Sequence, residues 1–285
     1  MTPEELYYKL QKELYGRVNV MIRQTVKRQM VVIYDDHRWI LNVLFALNKH
    51  IASPKLIYFD AHDDAAECEK KSELLKKIGA TTLNDATSKQ FGAFVDYDQR
   101  IDDGGWLTTA MELNLIGDVV NIGNKHSDNI TQMNDSYISE DDIFHNVFQL
   151  SANLEYELGC RGSLGDSFKE EEFRKIRDFF DIEHEYINDC RWHIKDPYVL
   201  DFDLDFFTIS CDSEPTHGWT DKILIKHFPL ASNHGIFIRR LIDNASVITI
   251  CREPDYCGSI GDSNRNLELL DQFYFYGSLG TDVTL

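Results

Sequence analysis

The chain has 285 residues, 43% hydrophobic and 12% aromatic, enough apolar material for a full buried core. A formal charge of −19 argues against binding a phosphate backbone, which requires cationic neutralisation, and is met either by a cationic partner or by a simple need for solubility. No apolar run is long enough to span a membrane, Met1–Tyr8 carries Glu4 and Glu5 where a secretory signal needs basic and apolar regions, and the six cysteines lack C-x-x-C spacing, so a cytoplasmic protein with reduced thiols is expected.

Residues 3–27 carry apolar groups at helical spacing, at Leu6, Leu10, Leu14 and Val18, and lead into the β-rich run Met30–Tyr34. Asp35, Asp36 and His37 interrupt it. A helical pattern resumes over Trp39–His50, Ser53 and Pro54 break it, and Leu56–Phe59 reads as a second buried strand that ends in Asp60-Ala-His-Asp-Asp64. Helices are expected over 67–78 and Trp106–Ile116, and a strand over Asp118–Ile122. The stretch 124–195 is acidic and polar, with helical patches such as Glu170–Phe180, and is expected to hold insertions and loops. From Tyr198 apolar and acidic residues alternate through Asp201, Asp203 and Asp205, as the two-residue period of a strand requires. A helix over about 220–243 and a last strand, Ser246–Ile250, complete the pattern. Strands recurring between helices predict an α/β fold of three layers, α/β/α, with a mainly parallel sheet, built as one domain over 1–285 with an irregular region around 124–195.

In such sheets functional groups gather beyond the carboxyl ends of the strands. Three acidic or histidine clusters fall there: Asp35-Asp36-His37, Asp60 to Asp64, and Asp203-Leu-Asp205. Alternate residues of a chain leaving a strand share a direction, so Asp60, His62 and Asp64 can converge. Several carboxylates crowded in a sheet repel unless cations neutralise them. A lone Asp-x-Asp is as often a solvated turn or a helix cap, but three clusters at strand ends of one chain point together to a metal site. Carboxylate and imidazole donors without a thiolate suit Mn²⁺, with zinc, iron or cobalt as alternatives.

The chain resembles the arginase and ureohydrolase superfamily, whose members carry an upstream Asp-His, an Asp-x-His-x-Asp and a later Asp-x-Asp, all present here in that order. The resemblance implies an arginase/deacetylase type of fold and two Mn²⁺ ions held by His37, Asp60, His62, Asp64, Asp203 and Asp205, with Asp60 and Asp203 bridging. The phrases Tyr34-Asp-Asp-His37, Phe59-Asp-Ala-His-Asp-Asp64, Gly105-Trp106 and Leu200 to Phe207 are similar to a divergent branch containing peptide arginases, which convert arginine side chains of a precursor peptide to ornithine and release urea. The partner so implied is an arginine-containing peptide. Phe206, Phe207 and Thr208 depart from the Gly and Asp-Pro that follow the last pair in ordinary arginases.

By the same resemblance Asp64 would orient the attacking water and Glu253 would bind the guanidinium, although alignment on Pro254 puts Cys251 there instead. Trp106 is a further candidate for substrate contact, His126 a positional candidate for the proton-shuttling histidine, and Asp36 and Asp63 candidates for the acceptors behind the ligating histidines. Alternatives are a free-arginine or agmatine-type ureohydrolase, a single-zinc amide deacetylase, a phosphatase using Asp201 or Asp203 as nucleophile, and a non-enzymatic acidic protein that binds a basic peptide. The oligomeric state is not legible.

Overall fold

The structure is a computed structural model that describes residues 1–14, 20–62, 64–98, 104–123, 136–150, 161–162, 196–211, 214–218 and 233–280. In chain order its strands are β1 (Val20–Gln24), β2 (Met30–Tyr34), β3 (Lys55–Phe59), β4 (Val119–Ile122), β5 (Ser136–Ile138), β6 (Phe144–Leu150), β7 (Arg161–Gly162), β8 (Tyr198–Asp203), β9 (Thr208–Cys211), β10 (Glu214–Gly218) and β11 (Val247–Cys251). The helices are α1 (Pro3–Leu14), α2 (Ile40–Asn48), α3 (Lys71–Ile78), α4 (Ser88–Tyr97), α5 (Trp106–Glu112), α6 (Asn233–Asn244) and α7 (Ile260–Leu270).

Eight strands form one sheet in the order β1-β2-β11-β8-β3-β4-β6-β5, and β10-β9-β7 form a small second sheet. Within the large sheet the six inner strands run parallel, and β1 and β5 pair antiparallel at the edges. Strands β2, β8 and β11 are buried at every position, as expected of parallel strands covered on both faces. Their side chains divide by parity. Val31, Ile33, Ile57, Phe59, Leu200 and Phe202 pack toward α6 and α7. Val32, Tyr34, Leu56, Tyr58, Val199 and Val247 pack toward α1, α2, α4 and α5. Two apolar layers around one sheet give the expected α/β/α arrangement.

The chain departs from the sequence expectation at several points. Of the helix expected over 3–27, Pro3–Leu14 is helical, 15–19 lie outside the described residues, and Val20–Gln24 is an edge strand, because Met21, Ile22 and Arg23 pair directly with Ile33, Val32 and Val31 of β2. Helices α4 and α7 were not anticipated, although Thr87 and Gln90 form a reciprocal capping box at the start of α4. The region 124–195, expected to be irregular, contains β5, β6 and β7. The helix expected at 170–180, and the part of the 220–243 helix before Asn233, fall outside the described residues. Among the described residues no helix is long and apolar enough to cross a membrane.

Candidate metal centre

Strands β2, β11, β8 and β3 are consecutive neighbours in the sheet, so their carboxyl ends open onto one crevice. His37 follows β2 on a short 3₁₀ turn, His37–Trp39. Asp60, His62 and Asp64 follow β3, Asp203 closes β8 with Asp205 on the turn after it, and Glu253 follows β11. Clusters separated by more than two hundred residues in the chain thus meet at one end of four parallel strands.

The two-residue spacing converges as expected, but the three groups after β3 divide between two subsites. On one side His37 Nδ1 lies 2.7 Å from Asp64 Oδ2, 3.0 Å from Asp203 Oδ2 and 3.3 Å from Asp60 Oδ2. On the other, His62 Nδ1 lies 2.7 Å from Asp205 Oδ2 and 3.7 Å from Asp60 Oδ1. Two groups have donor atoms close enough to share a cation: His37 with Asp60 and Asp64, and Asp60 with His62 and Asp205. Asp60 belongs to both. A third group joins His37 and Asp203 to Glu253.

Backbone amides orient the carboxylates. Asp60 Oδ1 accepts from His62 N at 2.6 Å, Asp203 Oδ1 from Asp205 N at 2.9 Å and Asp205 Oδ1 from Ala61 N at 3.2 Å. Each aspartate therefore has one oxygen tied to the chain and the other turned into the crevice. His37 Nδ1, Asp60 Oδ2 and Asp205 Oδ2 are buried there without a hydrogen bond of acceptable geometry. Buried polar atoms are expensive unless satisfied, and divalent cations in the two subsites would satisfy them, His37 Nδ1 and Asp60 Oδ2 on one side and Asp205 Oδ2 on the other.

Electrostatics lead the same way. Burial, reinforced by Asp64 and Asp205, pushes the Asp60 carboxyl well above its usual range, and burial with Asp205 and Glu253 does the same to Asp203. Burial opposes charge on His62, but Asp205 and Asp60 outweigh it and raise the imidazole to about 10. Burial also opposes ionisation of Asp64, yet His37 and the Trp106 indole hold that carboxyl below its usual value. Without a cation the crevice recruits protons to balance its negative charge. The donor set fits hard divalent ions, being carboxylate oxygens and two imidazoles.

The acceptors expected behind the ligating histidines need correction. His37 Nε2 lies 2.7 Å from Asp201 Oδ2, so Asp201 is the acceptor behind this imidazole. Asp36 instead caps the 3₁₀ turn by accepting from Arg38 N, and it pairs with the Arg38 guanidinium at 2.8 Å. From sequence, Asp201 stands out only as one of the repelling carboxylates or as a candidate phosphatase nucleophile. It is completely buried and already accepts from Tyr34 and Thr249, which leaves no room for attack on an ester. Its position two residues before Asp203, on the same strand face, was the signal available.

Trp106 also changes role. It is 1% exposed, stacks at a tilt 4.6 Å from the His37 ring, and donates Nε1–H to Asp64 Oδ2 at 2.5 Å, so it positions Asp64 instead of meeting substrate. Glu253 does reach the crevice, its Oε1 accepting from His37 N at 3.3 Å, while Cys251 is buried in the core beneath. Burial, opposed by His37 and assisted by Asp205 and Asp64, raises Glu253 to about 7. Tyr256, which no sequence pattern singled out, sets its ring edge-on to His62 at 5.6 Å. His126 and Asp63 lie outside the described residues.

No family model and no curated protein matches the chain. Among solved structures it is similar to a proclavaminate amidino hydrolase from Streptomyces clavuligerus, at 15% identity and a TM-score of 0.43 over 85% of this chain and 63% of that one. A hypothetical agmatinase from Burkholderia thailandensis is 14% identical with a TM-score of 0.39, over 84% of this chain and 58% of that one. The arginase of Helicobacter pylori is 13% identical with a TM-score of 0.41, over 98% and 78%. The chain spans less than two thirds of the length of the first two of these structures.

Proposed function

We propose that this chain is a binuclear metal-dependent hydrolase that cleaves the guanidinium group of arginine side chains in a precursor peptide, giving ornithine and urea. The observation that carries the reading is the set of buried, unsatisfied atoms, His37 Nδ1, Asp60 Oδ2 and Asp205 Oδ2, turned into one crevice between two ligand groups that share Asp60. His37, Asp60, Asp64 and Asp203 would hold one ion, and His62, Asp60, Asp203 and Asp205 the other, with Mn²⁺ the ion best suited to these oxygen and imidazole donors. When bound, the ion pair lowers the pKa of water so that it can act as a nucleophile near neutral pH.

The chain's own groups do the rest. The excess negative charge of the protein attracts a guanidinium cation. Glu253, beside His37 and Asp203, pairs with the guanidinium nitrogens through charge-assisted hydrogen bonds. Asp64, fixed by Trp106, orients the water toward the guanidinium carbon. As the new C–O bond forms, the bond from that carbon to the side-chain nitrogen breaks, and a proton passes to the departing amine. His126 is the positional candidate for that proton donor. A cytoplasmic setting, where Cys68, Cys251 and Cys257 stay as the free thiols they are in the structure, goes with this reading.

Mass spectrometry and urea release after incubating the Mn²⁺-loaded protein with an arginine-containing peptide, and separately with free arginine, test the proposal. Ornithine in the peptide, absent with Asp203→Ala, is the expected result. Conversion of free arginine alone would replace the peptide by the amino acid, and no urea from either would overturn the reading.

A further inference from the structure

Asp201 sits at the centre of a hydrogen-bond network that spans three strands. The parallel register sets Thr249 of β11 opposite Asp201 of β8, and Tyr34 of β2 on the far side of β11 opposite Cys251. The Tyr34 hydroxyl donates to Asp201 Oδ1 at 3.0 Å, the Thr249 hydroxyl donates to the same oxygen at 2.5 Å, and Oδ2 faces His37 Nε2 at 2.7 Å. Asp201 and Thr249 are wholly inaccessible to solvent, and Tyr34 is 1% exposed.

A buried carboxylate is costly, and this one has donors facing both of its oxygens. Its second oxygen then requires a hydrogen on His37 Nε2. That assigns the neutral imidazole the tautomer with its lone pair on Nδ1, the atom turned toward Asp60, Asp64 and Asp203. His62 has a different setting. It lies on the outer side of the crevice, and its side chain is 43% exposed.

We infer that Asp201 is a positioning residue that, through His37, selectively strengthens the His37-side member of the proposed ion pair, with Tyr34 and Thr249 fixing the carboxylate for that task. The inference rests on the proposed two-ion reading of the crevice but not on any substrate. Loss of an acceptor behind a ligating histidine lowers metal affinity by about 10- to 100-fold. The asymmetry between the histidines makes the effect specific to one of the two ions.

Mn²⁺ alone is the probe. The ion-free protein and its Asp201→Asn, Thr249→Val and Tyr34→Phe variants are titrated against a competing chelator, with bound manganese counted by elemental analysis and its spin coupling followed by electron paramagnetic resonance. The wild type is expected to take up two ions with a coupled signal. Asp201→Asn is expected to hold one ion with an uncoupled six-line signal until Mn²⁺ is raised about 10- to 100-fold, and the other two variants shift the same ion by less. If Asp201→Asn does not fold, Thr249→Val and Tyr34→Phe carry the test, and unchanged uptake of both ions would overturn the inference. Equal weakening of both ions would also overturn it, since a general loosening of the sheet predicts that pattern. A wild type that binds two ions but releases no urea sinks the substrate reading and leaves this inference standing; a wild type that takes up one ion or none sinks the two-ion reading itself.

Discussion

Trp106 donates its indole N–H to Asp64 Oδ2 at 2.5 Å while its ring lies against His37, so one buried side chain steadies two groups that lie 27 residues apart in sequence. Trp106→Phe keeps most of the ring's packing against His37 and Tyr58 but deletes the donor. A hydrogen bond to a buried charged group contributes about 1.5–3 kcal/mol, so the ion-free variant is expected to unfold at lower denaturant concentration by an amount in that range. Denaturant melts compared with and without Mn²⁺ check this. Equal stability of variant and wild type in the ion-free state would show that the indole contributes only packing.

Acidity should stabilise the ion-free protein. Asp60, Asp203 and Glu253 have carboxyl pKa values raised in the folded chain, Glu253 from 4.5 to about 7. The folded state therefore holds protons that the unfolded chain has released. This stability is fully present below the unfolded carboxyl value and is lost as pH rises through the folded one. His62, raised to about 10, acts in the same direction above pH 6.5. Asp64 has the opposite sign but acts only below its usual value of 3.8. Each proton of difference changes stability by about 1.4 kcal/mol per pH unit. Thermal melts in chelator should show Tm falling between pH 5 and pH 8, and Mn²⁺ should flatten that dependence by supplying the charge that the protons supplied. A Tm that rises with pH in chelator would contradict the crowded-carboxylate account.

The ligand clusters were legible because β2, β3 and β8 are continuous apolar runs that turn abruptly into Asp and His where they leave the sheet. What surrounds the ligands was not. Asp36 adjoins His37 in sequence yet caps a turn, whereas Asp201 lies 164 residues away and reaches His37 only through the parallel pairing of β2, β11 and β8. Trp106 was noticed for its neighbouring glycine, but only the fold shows that it is buried behind Asp64. Strand β1 reads as helical from sequence because it follows the helical spacing of Leu6, Leu10, Leu14 and Val18, and only the pairing of Val20–Gln24 with β2 reveals its extended period.

Gly123, at the exit of β4, illustrates how tightly the floor of the crevice is built. It has φ +115°, and a Cβ there would lie 2.5 Å from the Phe206 ring and 2.8 Å from the Asp60 carbonyl oxygen. Gly123→Ala thus meets a backbone region L residues avoid as well as two contacts, one of them with backbone that cannot swing away. A loss of about 2–4 kcal/mol is expected, with weaker metal uptake because Asp60 is displaced. Adding Phe206→Ala should recover little of it, since the backbone conformation and the Asp60 contact persist. Full rescue by the double variant would mean that the ring alone defines the space.

Tyr256 marks the mouth of the crevice. Its amide and that of Cys257 both donate to the Glu253 carbonyl at 3.0 Å, so the aromatic ring and the carboxylate assigned to the guanidinium sit on one tight turn after β11. Tyr256 is 60% exposed, and its ring stands edge-on to His62. An aromatic face beside a guanidinium at an exposed site contributes about 0.5–1 kcal/mol through the cation–π attraction. Tyr256→Ala is therefore expected to raise KM for an arginine-containing peptide by about 2- to 5-fold, with kcat and manganese content unchanged, whereas Tyr256→Phe retains the ring and stays near wild type. Steady-state kinetics on the three proteins decide the matter. A fall in kcat at constant KM would assign Tyr256 to the reaction step, and no change in either would remove it from the substrate's path.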